Sequence, residues 1–184
     1  MPLDETLEAF ERLQHQGKIR HWGVSNFDVD DMEELISLTT NADSNVASNQ
    51  VLYNLTRRGI EYDLLPWCRK RHIPIMAYSP IERGRLAKHA TVKTIARRLD
   101  ATSAQVALAW VLRQQGVVAI PKAAHIEHVR DNRGALEIEL SSEDINELDE
   151  AFPPPTRKTP LESAAACVSP LGRVVIACQL RSAR

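Results

Sequence analysis

Ile19-Arg20-His21-Trp22-Gly23-Val24-Ser25-Asn26-Phe27 reads as a short buried strand that exits through a hydroxyl and a carboxamide. A brief apolar run with its polar groups gathered at one end fits a strand covered on both faces. In a parallel α/β protein the C-terminal edge of the sheet is where ligands bind. Ser25 and Asn26 are therefore candidate ligand contacts. Three further apolar segments end in the same manner. Residues 47–53 carry Gln50 and lead into Asn54. Residues 72–77 end in Tyr78-Ser79-Pro80, where proline cannot continue a central ladder. Residues 117–120 end in Pro121-Lys122.

Helical patterns lie between these segments. Residues 3–16 place Leu7, Phe10 and Leu13 at helical spacing, and Gly17 follows as a stop. Residues 28–39 set Met32, Leu35 and Ile36 on one face, and residues 61–71 carry Leu64, Leu65 and Cys68. Residues 91–99 and 103–113 predict two helices, the second bearing Val106, Ala109, Trp110 and Leu112 and stopped by Gly116. Residues 125–136 predict a helix ending near Gly134, and Ser141-Ser142-Glu143-Asp144 opens the last one as a loose capping box. Strands alternating with helices imply a parallel sheet with right-handed crossovers. The spacing suits half of a (β/α)8 barrel or a small doubly wound sheet. No Gly-x-Gly-x-x-Gly and no Walker loop follows any strand, and the 7 glycines in all count against a Rossmann domain.

The bulk properties exclude several classes. A chain of 184 residues, 43% hydrophobic and 26% charged, can bury a core, and a net charge of -1 offers nothing to nucleic acid or an anionic membrane. No apolar run is long enough to span a bilayer, and the acidic, polar start Met1-Pro2-Leu3-Asp4-Glu5-Thr6 is no secretory signal. Cys68, Cys167 and Cys178 lack patterned spacing, which argues against a disulfide framework and for a reducing cytoplasm. Asp28, Asp30 and Asp31 suit a helix start rather than calcium. His125-x-x-His128 has no third ligand in view. Arg57-Arg58 and Arg69-Lys70-Arg71 read as solvated helix-end charge. Beyond Pro153-Pro154-Pro155 the character changes, and after Glu162 there is no acidic residue. Residues 162–184 are expected to form a disordered tail, with a packed terminal strand as the alternative.

Ser25, Asn26, Gln50, Tyr78 and Lys122, on one edge, offer hydroxyls, amides, an aromatic face and a cation. Carboxamides can pair with another carboxamide, a tyrosine ring can stack on a flat heterocycle, and a lysine can hold a phosphate. That constellation fits a nicotinamide nucleotide. Five segments, Gly17-Lys18-Ile19-Arg20, Gly23-Val24-Ser25-Asn26-Phe27, Asn49-Gln50-Val51-Leu52-Tyr53-Asn54, Ala77-Tyr78-Ser79-Pro80 and Ile120-Pro121-Lys122, resemble the aldo-keto reductase family in type, order and spacing. The resemblance runs over residues 3–161 and lies nearest to bacterial members related to diketogluconate and methylglyoxal reductases. It implies a (β/α)8 TIM-barrel fold, of which residues 1–161 supply the C-terminal half with about four parallel strands. It also implies NADPH-dependent reduction of small aldehydes or ketones.

By the same resemblance, Ser25, Asn26 and Gln50 hold the nicotinamide carboxamide and Tyr78 stacks on its ring. Ser79 and the backbone from Pro80 to Arg83, Ile81 included, meet the pyrophosphate. Lys122 binds the adenosine-side phosphates, and Asp131 and Asn132 meet the adenine. His128 stands where the family often has an arginine gripping the 2′-phosphate, and Ala123 where many members have serine, so NAD(H) remains open beside NADP(H). The family's catalytic aspartate, tyrosine, lysine and histidine match nothing here, so the chain taken alone is expected to be inactive. The alternatives are a non-catalytic nucleotide-binding module and a non-functional remnant. Half a barrel is also expected to leave two bare sheet edges and to expose Val24, Val51, Met76 and Val118 on the barrel side. Uncovering about 400 Å² of apolar surface forfeits roughly 10 kcal/mol, so self-association through the open edges is expected.

Overall fold

The computed structural model describes residues 2–39, 46–162 and, as backbone, 174–178. Helix α1 (Leu3–His15) leads into strand β1 (His21–Ser25), then α2 (Val29–Leu38), β2 (Val46–Leu52), α3 (Leu64–Lys70) and β3 (Ile75–Tyr78). Two helices, α4 (Ala90–Arg98) and α5 (Ser103–Leu112), precede β4 (Val117–Ala119). Helix α6 (Ile126–Gly134), helix α7 (Ser142–Ala151) and strand β5 (Val174–Cys178) complete the order. The sheet runs β4-β3-β2-β1-β5. β1 to β4 are mutually parallel, so their C-terminal ends emerge on one edge. This is a partial (β/α)8 barrel.

Local chemistry sets the helix ends. Asp28 caps α2 and Asp31 returns the bond, with the Asp31 N–H 2.9 Å from Asp28 Oδ1. The acidic trio at 28–31 is thus a helix start, as its spacing implies. Thr102 with Gln105 and Ser141 with Asp144 form the same reciprocal box on α5 and α7. Gly17 takes φ +67° after α1, a backbone state open to glycine at little strain. Residues 106–111 of α5 are all buried, since this helix is apolar on every side and lies between α4 and the sheet.

The pleat divides the strands between two faces. Val24, Asn49, Ile75 and Val117 align across the sheet, and all four are buried. Ser25, Gln50, Met76 and Val118 align on the opposite face. That alternation corrects the expected exposure. Val24 and Val51 are 1% and 0% exposed beneath the helices, while Met76 is half-buried and Val118 is 51% exposed. A second correction concerns the edges. β5 pairs antiparallel with β1 from His21↔Cys178 to Ser25↔Val174, so β1 is not an edge strand. Of the stretch expected to be a disordered tail, residues 174–178 are this strand; residues 163–173 and 179–184 lie outside the described residues.

Arg58 is the third correction. It is 7% exposed rather than solvated. Its guanidinium meets Glu61 at 2.8 Å, Asp149 at 2.7 Å and the Phe152 carbonyl at 2.5 Å, and lies 4.9 Å from the Trp110 ring centroid. A planar fork with five donors can be buried when all its partners surround it, and those partners are up to 94 residues distant in sequence. Arg57 stays 39% exposed at its side chain.

The register of β1 on β2 slips between Trp22 and Val24, so two steps on β1 face three on β2. At that bulge a Cβ on Gly23 would lie 2.6 Å from the Ser48 carbonyl oxygen. Gly23→Ala is expected to destabilise the fold by about 1–3 kcal/mol, read as a lowered thermal midpoint. Asp144 generates a pH dependence. Burial pushes its carboxyl up, but hydrogen bonds from Ser141 and Arg98 outweigh this and hold it below the ordinary carboxylate value. A depressed carboxylate stabilises the fold above its unfolded pKa and loses that contribution as pH falls through the folded value. Thermal melts of Asp144→Asn and the parent are therefore expected to differ most near neutrality, and to converge as pH falls below the ordinary carboxylate range.

Candidate functional site

The C-terminal ends of β1 and β2 meet at the Gln50 backbone carbonyl. It accepts the Ser25 hydroxyl at 2.9 Å and the Asn26 N–H at 2.9 Å. Asn26 leaves the strand at φ +57°, a left-handed state that asparagine tolerates better than other side-chain-bearing residues. The Tyr78 hydroxyl donates to Asn26 Oδ1 at 3.2 Å, tying the exit of β3 to that of β1 across 52 residues of sequence. Leu52 pairs with Tyr78 and Ser25 with Gln50, so these groups share one rim. The Gln50 side chain is half-buried on the open face, and its carboxamide has no hydrogen-bond partner among the described residues.

Beneath the rim, Asn49 is fully buried and its amide donates to the Phe27 carbonyl at 2.8 Å. This fixes the turn that carries Asn26 into α2. Beyond β3 the chain bends sharply: Ser79, Glu82 and Arg83 have φ of +50°, +46° and +52°. Ile81 lies within this bend and packs partly against the core.

The remaining candidates occupy the connection after β4, at the same edge of the sheet. Lys122 is exposed three residues past the strand. α6 begins four residues later and has no buried residue. His128 and Asp131 are exposed on it and Asn132 is half-buried. The His128 and His125 rings meet edge to face with centroids 5.6 Å apart. Ser25, Asn26, Gln50 and Tyr78 thus form one bonded cluster, with Ser79 and Ile81 in the bend beside it. Lys122, His128, Asp131 and Asn132 form a solvent-facing second group on the β4–α6 side.

Two of the three tyrosines have their hydroxyls engaged by side chains. Tyr53 is fully buried, and its hydroxyl donates to Glu61 Oε1 at 2.7 Å. Burial, with Glu61 alongside, raises its pKa far above the ordinary value. Tyr62 is 49% exposed beside α3, and the Tyr78 hydroxyl is engaged by Asn26. Cys68 is no nucleophile: it is buried, and burial pushes its thiol up to about 12.

The sequence singled out Asn54 only as a strand-end group and Glu82 only as backbone of the Pro80–Arg83 stretch, and Arg57 only as a solvated charge; their side chains form a network. Asn54 is fully buried and donates to the Ser79 carbonyl at 2.9 Å and to Glu82 Oε2 at 2.8 Å. Arg57 reaches Glu82 at 3.7 Å and Glu162 at 2.5 Å. The position of Asn54 just past a strand was visible; its partners, 25 and 28 residues away, were not. Under the segment that carries Glu162, a cavity of about 20 Å³ is lined by Asp28, Arg57, Asp63 and Lys158, which is room for a water molecule.

The model of the aldo/keto reductase family matches residues 1–152. Methylglyoxal reductase YeaE from Escherichia coli is 52% identical over 164 residues, covering 86% of this chain and 57% of its own length. Glyoxal reductase from Bacillus subtilis is 36% identical over 145 residues, covering 79% of this chain and 50% of its own. The crystal structure of an aldo-keto reductase from Klebsiella pneumoniae in complex with NADPH superposes with a TM-score of 0.83 at 50% identity. It covers 89% of this chain and 58% of that one. The chain therefore spans between half and three-fifths of the length of these relatives, and it belongs to the aldo/keto reductase family.

Proposed function

We propose that this chain holds a nicotinamide dinucleotide, NADPH or NADH, at the rim formed by β1, β2 and β3. In this reading it is the cofactor-binding part of a reductase acting on small aldehydes and ketones. The observation that carries the reading is the Gln50 carbonyl, which draws Ser25 and Asn26 onto one point while the Gln50 carboxamide has no partner among the described residues. A half-buried amide that no described residue engages fits a ligand that brings its own amide. The NADPH-bound relative supports the same assignment.

When bound, the dinucleotide supplies hydride. The residues of this chain bind and orient it. Gln50 and Asn26 present carboxamides, each with a donor and an acceptor, to the nicotinamide amide. The ring of Tyr78 offers an aromatic face, held in place by its hydroxyl bond to Asn26. Ser79 and Ile81 bring the bend after β3 against the pyrophosphate. Lys122 supplies a point charge for phosphate, and His128, Asp131 and Asn132 line the adenosine side. Histidine in place of arginine lacks the planar guanidinium fork that grips a 2′-phosphate, so discrimination against NADH is modest.

Carbonyl reduction also needs a proton donor tuned to working pH. The engagements of Tyr53 and Tyr78 described above argue against either in that role. The chain by itself is accordingly proposed to bind cofactor without turning over. Fluorescence titration is expected to give micromolar NADPH binding, weakened at least tenfold in Gln50→Ala and Asn26→Ala. Lys122→Ala should flatten the salt dependence. Absence of saturable binding by either dinucleotide ends this reading, and carbonyl-dependent NADPH oxidation by the purified chain ends the claim of inactivity.

Self-association is proposed through β4, whose outer edge is bare among the described residues. Val118, Ile126, Val129 and Leu136 are 49–58% exposed around it. Two copies that pair β4 against β4 use the same strand on each side, an isologous contact that makes a dimer. Sedimentation equilibrium is expected to show a dimer that Val118→Lys shifts to monomer. A parent chain that stays monomeric excludes it.

A further inference from the structure

We propose that Asn54 is a positioning residue that locks the bend after β3, Ser79 to Gly84, into its receptive shape. Through Arg57, the same loop ties that bend to the segment that carries Glu162. The inference rests on the dinucleotide reading only for what the bend receives. The lock itself stands on hydrogen bonds and backbone geometry.

The bend is strained. Ser79, Glu82 and Arg83 occupy the left-handed region without being glycine, and Gly84 follows at φ +82°. Such residues persist only where their surroundings over-determine them, and they cluster at ligand clamps. Within the bend the Glu82 N–H reaches the Ser79 carbonyl at 3.0 Å and the Gly84 N–H reaches the Ile81 carbonyl at 2.9 Å. These local bonds set the curvature. What holds the bend against the rest of the fold is Asn54.

Its amide nitrogen donates to the Ser79 carbonyl at 2.9 Å and to Glu82 Oε2 at 2.8 Å, the first and fourth residues of the bend. Its oxygen accepts the Thr56 N–H and the Thr56 hydroxyl, both at 2.9 Å. Two donors and two acceptor sites are all a carboxamide has, and here all are used at a fully buried position. Because the Thr56 N–H can only donate while the Ser79 carbonyl and the Glu82 carboxylate accept, the amide can face only one way. Glu82, 12% exposed at its side chain, is held from the other side by Arg57 at 3.7 Å, and Arg57 reaches Glu162 at 2.5 Å. The loop after β2 is thus the hub between the bend and the C-terminal segment. An aspartate side chain in place of Asn54 keeps the shape and the Thr56 bonds, but it sets a carboxylate against a carbonyl and the Glu82 carboxylate.

Two readouts test the lock, one of them independent of any ligand. Trypsin cleaves after Arg83 and Arg85 once the bend opens. Asn54→Asp is expected to raise cleavage there at least tenfold, mapped by mass spectrometry, while the thermal transition stays cooperative. Adding Glu82→Gln restores a donor facing the introduced carboxylate and is expected to recover part of the protection. Thr56→Val, which removes one bond and leaves Asn54 in place, should give a two- to threefold effect in the same direction, and it serves if Asn54→Asp fails to fold. NADPH affinity is expected to fall in parallel, about tenfold for Asn54→Asp. Unchanged cleavage in the folded variants overturns the lock. Raised cleavage with unchanged NADPH affinity overturns its role in binding. A parent protein that binds no dinucleotide overturns the cofactor reading, and the cleavage pattern then decides the lock by itself.

Discussion

The carbonyl of Gln50 accepts two hydrogen bonds from the adjoining strand exit, one from a side chain and one from the backbone. That double acceptance fixes where β1 stops and turns. A parallel ladder offers evenly spaced bonds along its length, and the last of them decides how the chain leaves the sheet. Here the exit passes through Asn26 in a left-handed state, and Tyr78 from the next strand but one bonds the same residue. Three strand ends that are far apart in sequence thus behave as one rigid rim. A site built on strand ends is held more accurately than one built on free loops.

Two buried amides support this rim from below. Asn49 holds the turn into α2 through the Phe27 carbonyl, and Asn54 holds the bend after β3 through the Ser79 carbonyl. Each lies on or just after β2, in the interior of the parallel set. A buried carboxamide costs free energy unless its groups are bonded. Asn54 satisfies all of its capacity. The segment after α7 is fastened to the same region by Arg58, Arg57 and Lys158, the last 3.2 Å from Asp30. The site and the path of the C-terminal segment therefore depend on one loop.

The open face of the sheet is the other consequence of the topology. Four parallel strands with helices on one side leave the second side to Gln50, Met76, Tyr78 and Val118, none of them fully buried. Antiparallel β5 covers β1 and becomes the outer strand at that end of the sheet, with β4, three residues long, at the other. Short edge strands limit unwanted pairing but do not abolish it. The surface that leaves the rim accessible is also the one through which self-association is proposed.

Strand ends were legible in the sequence because apolar runs stop at chemically distinctive groups: Ser25-Asn26, Tyr78-Ser79 and Pro121-Lys122 each sit where a buried segment meets solvent. The helix caps at Asp28 and Ser141 were legible because capping is a contact between residues three apart. Family membership followed from the order of those motifs. Which face each strand residue takes was misjudged for Val24 and Val51, since period-two alternation needs a register, and the bulge opposite Gly23 resets it. Arg58 looked like a surface charge because its partners Asp149 and Phe152 are some ninety residues away. Asn54 and Glu82, and the pairing of residues 174–178 with β1, belong to the same class. The amino-acid sequence determined the elements, their ends and the kinds of chemistry at the rim, because those depend on neighbours within a few residues. Only the tertiary structure decided which of those groups bond to one another, because hydrogen bonds between strand exits depend on distances that the chain's folding creates.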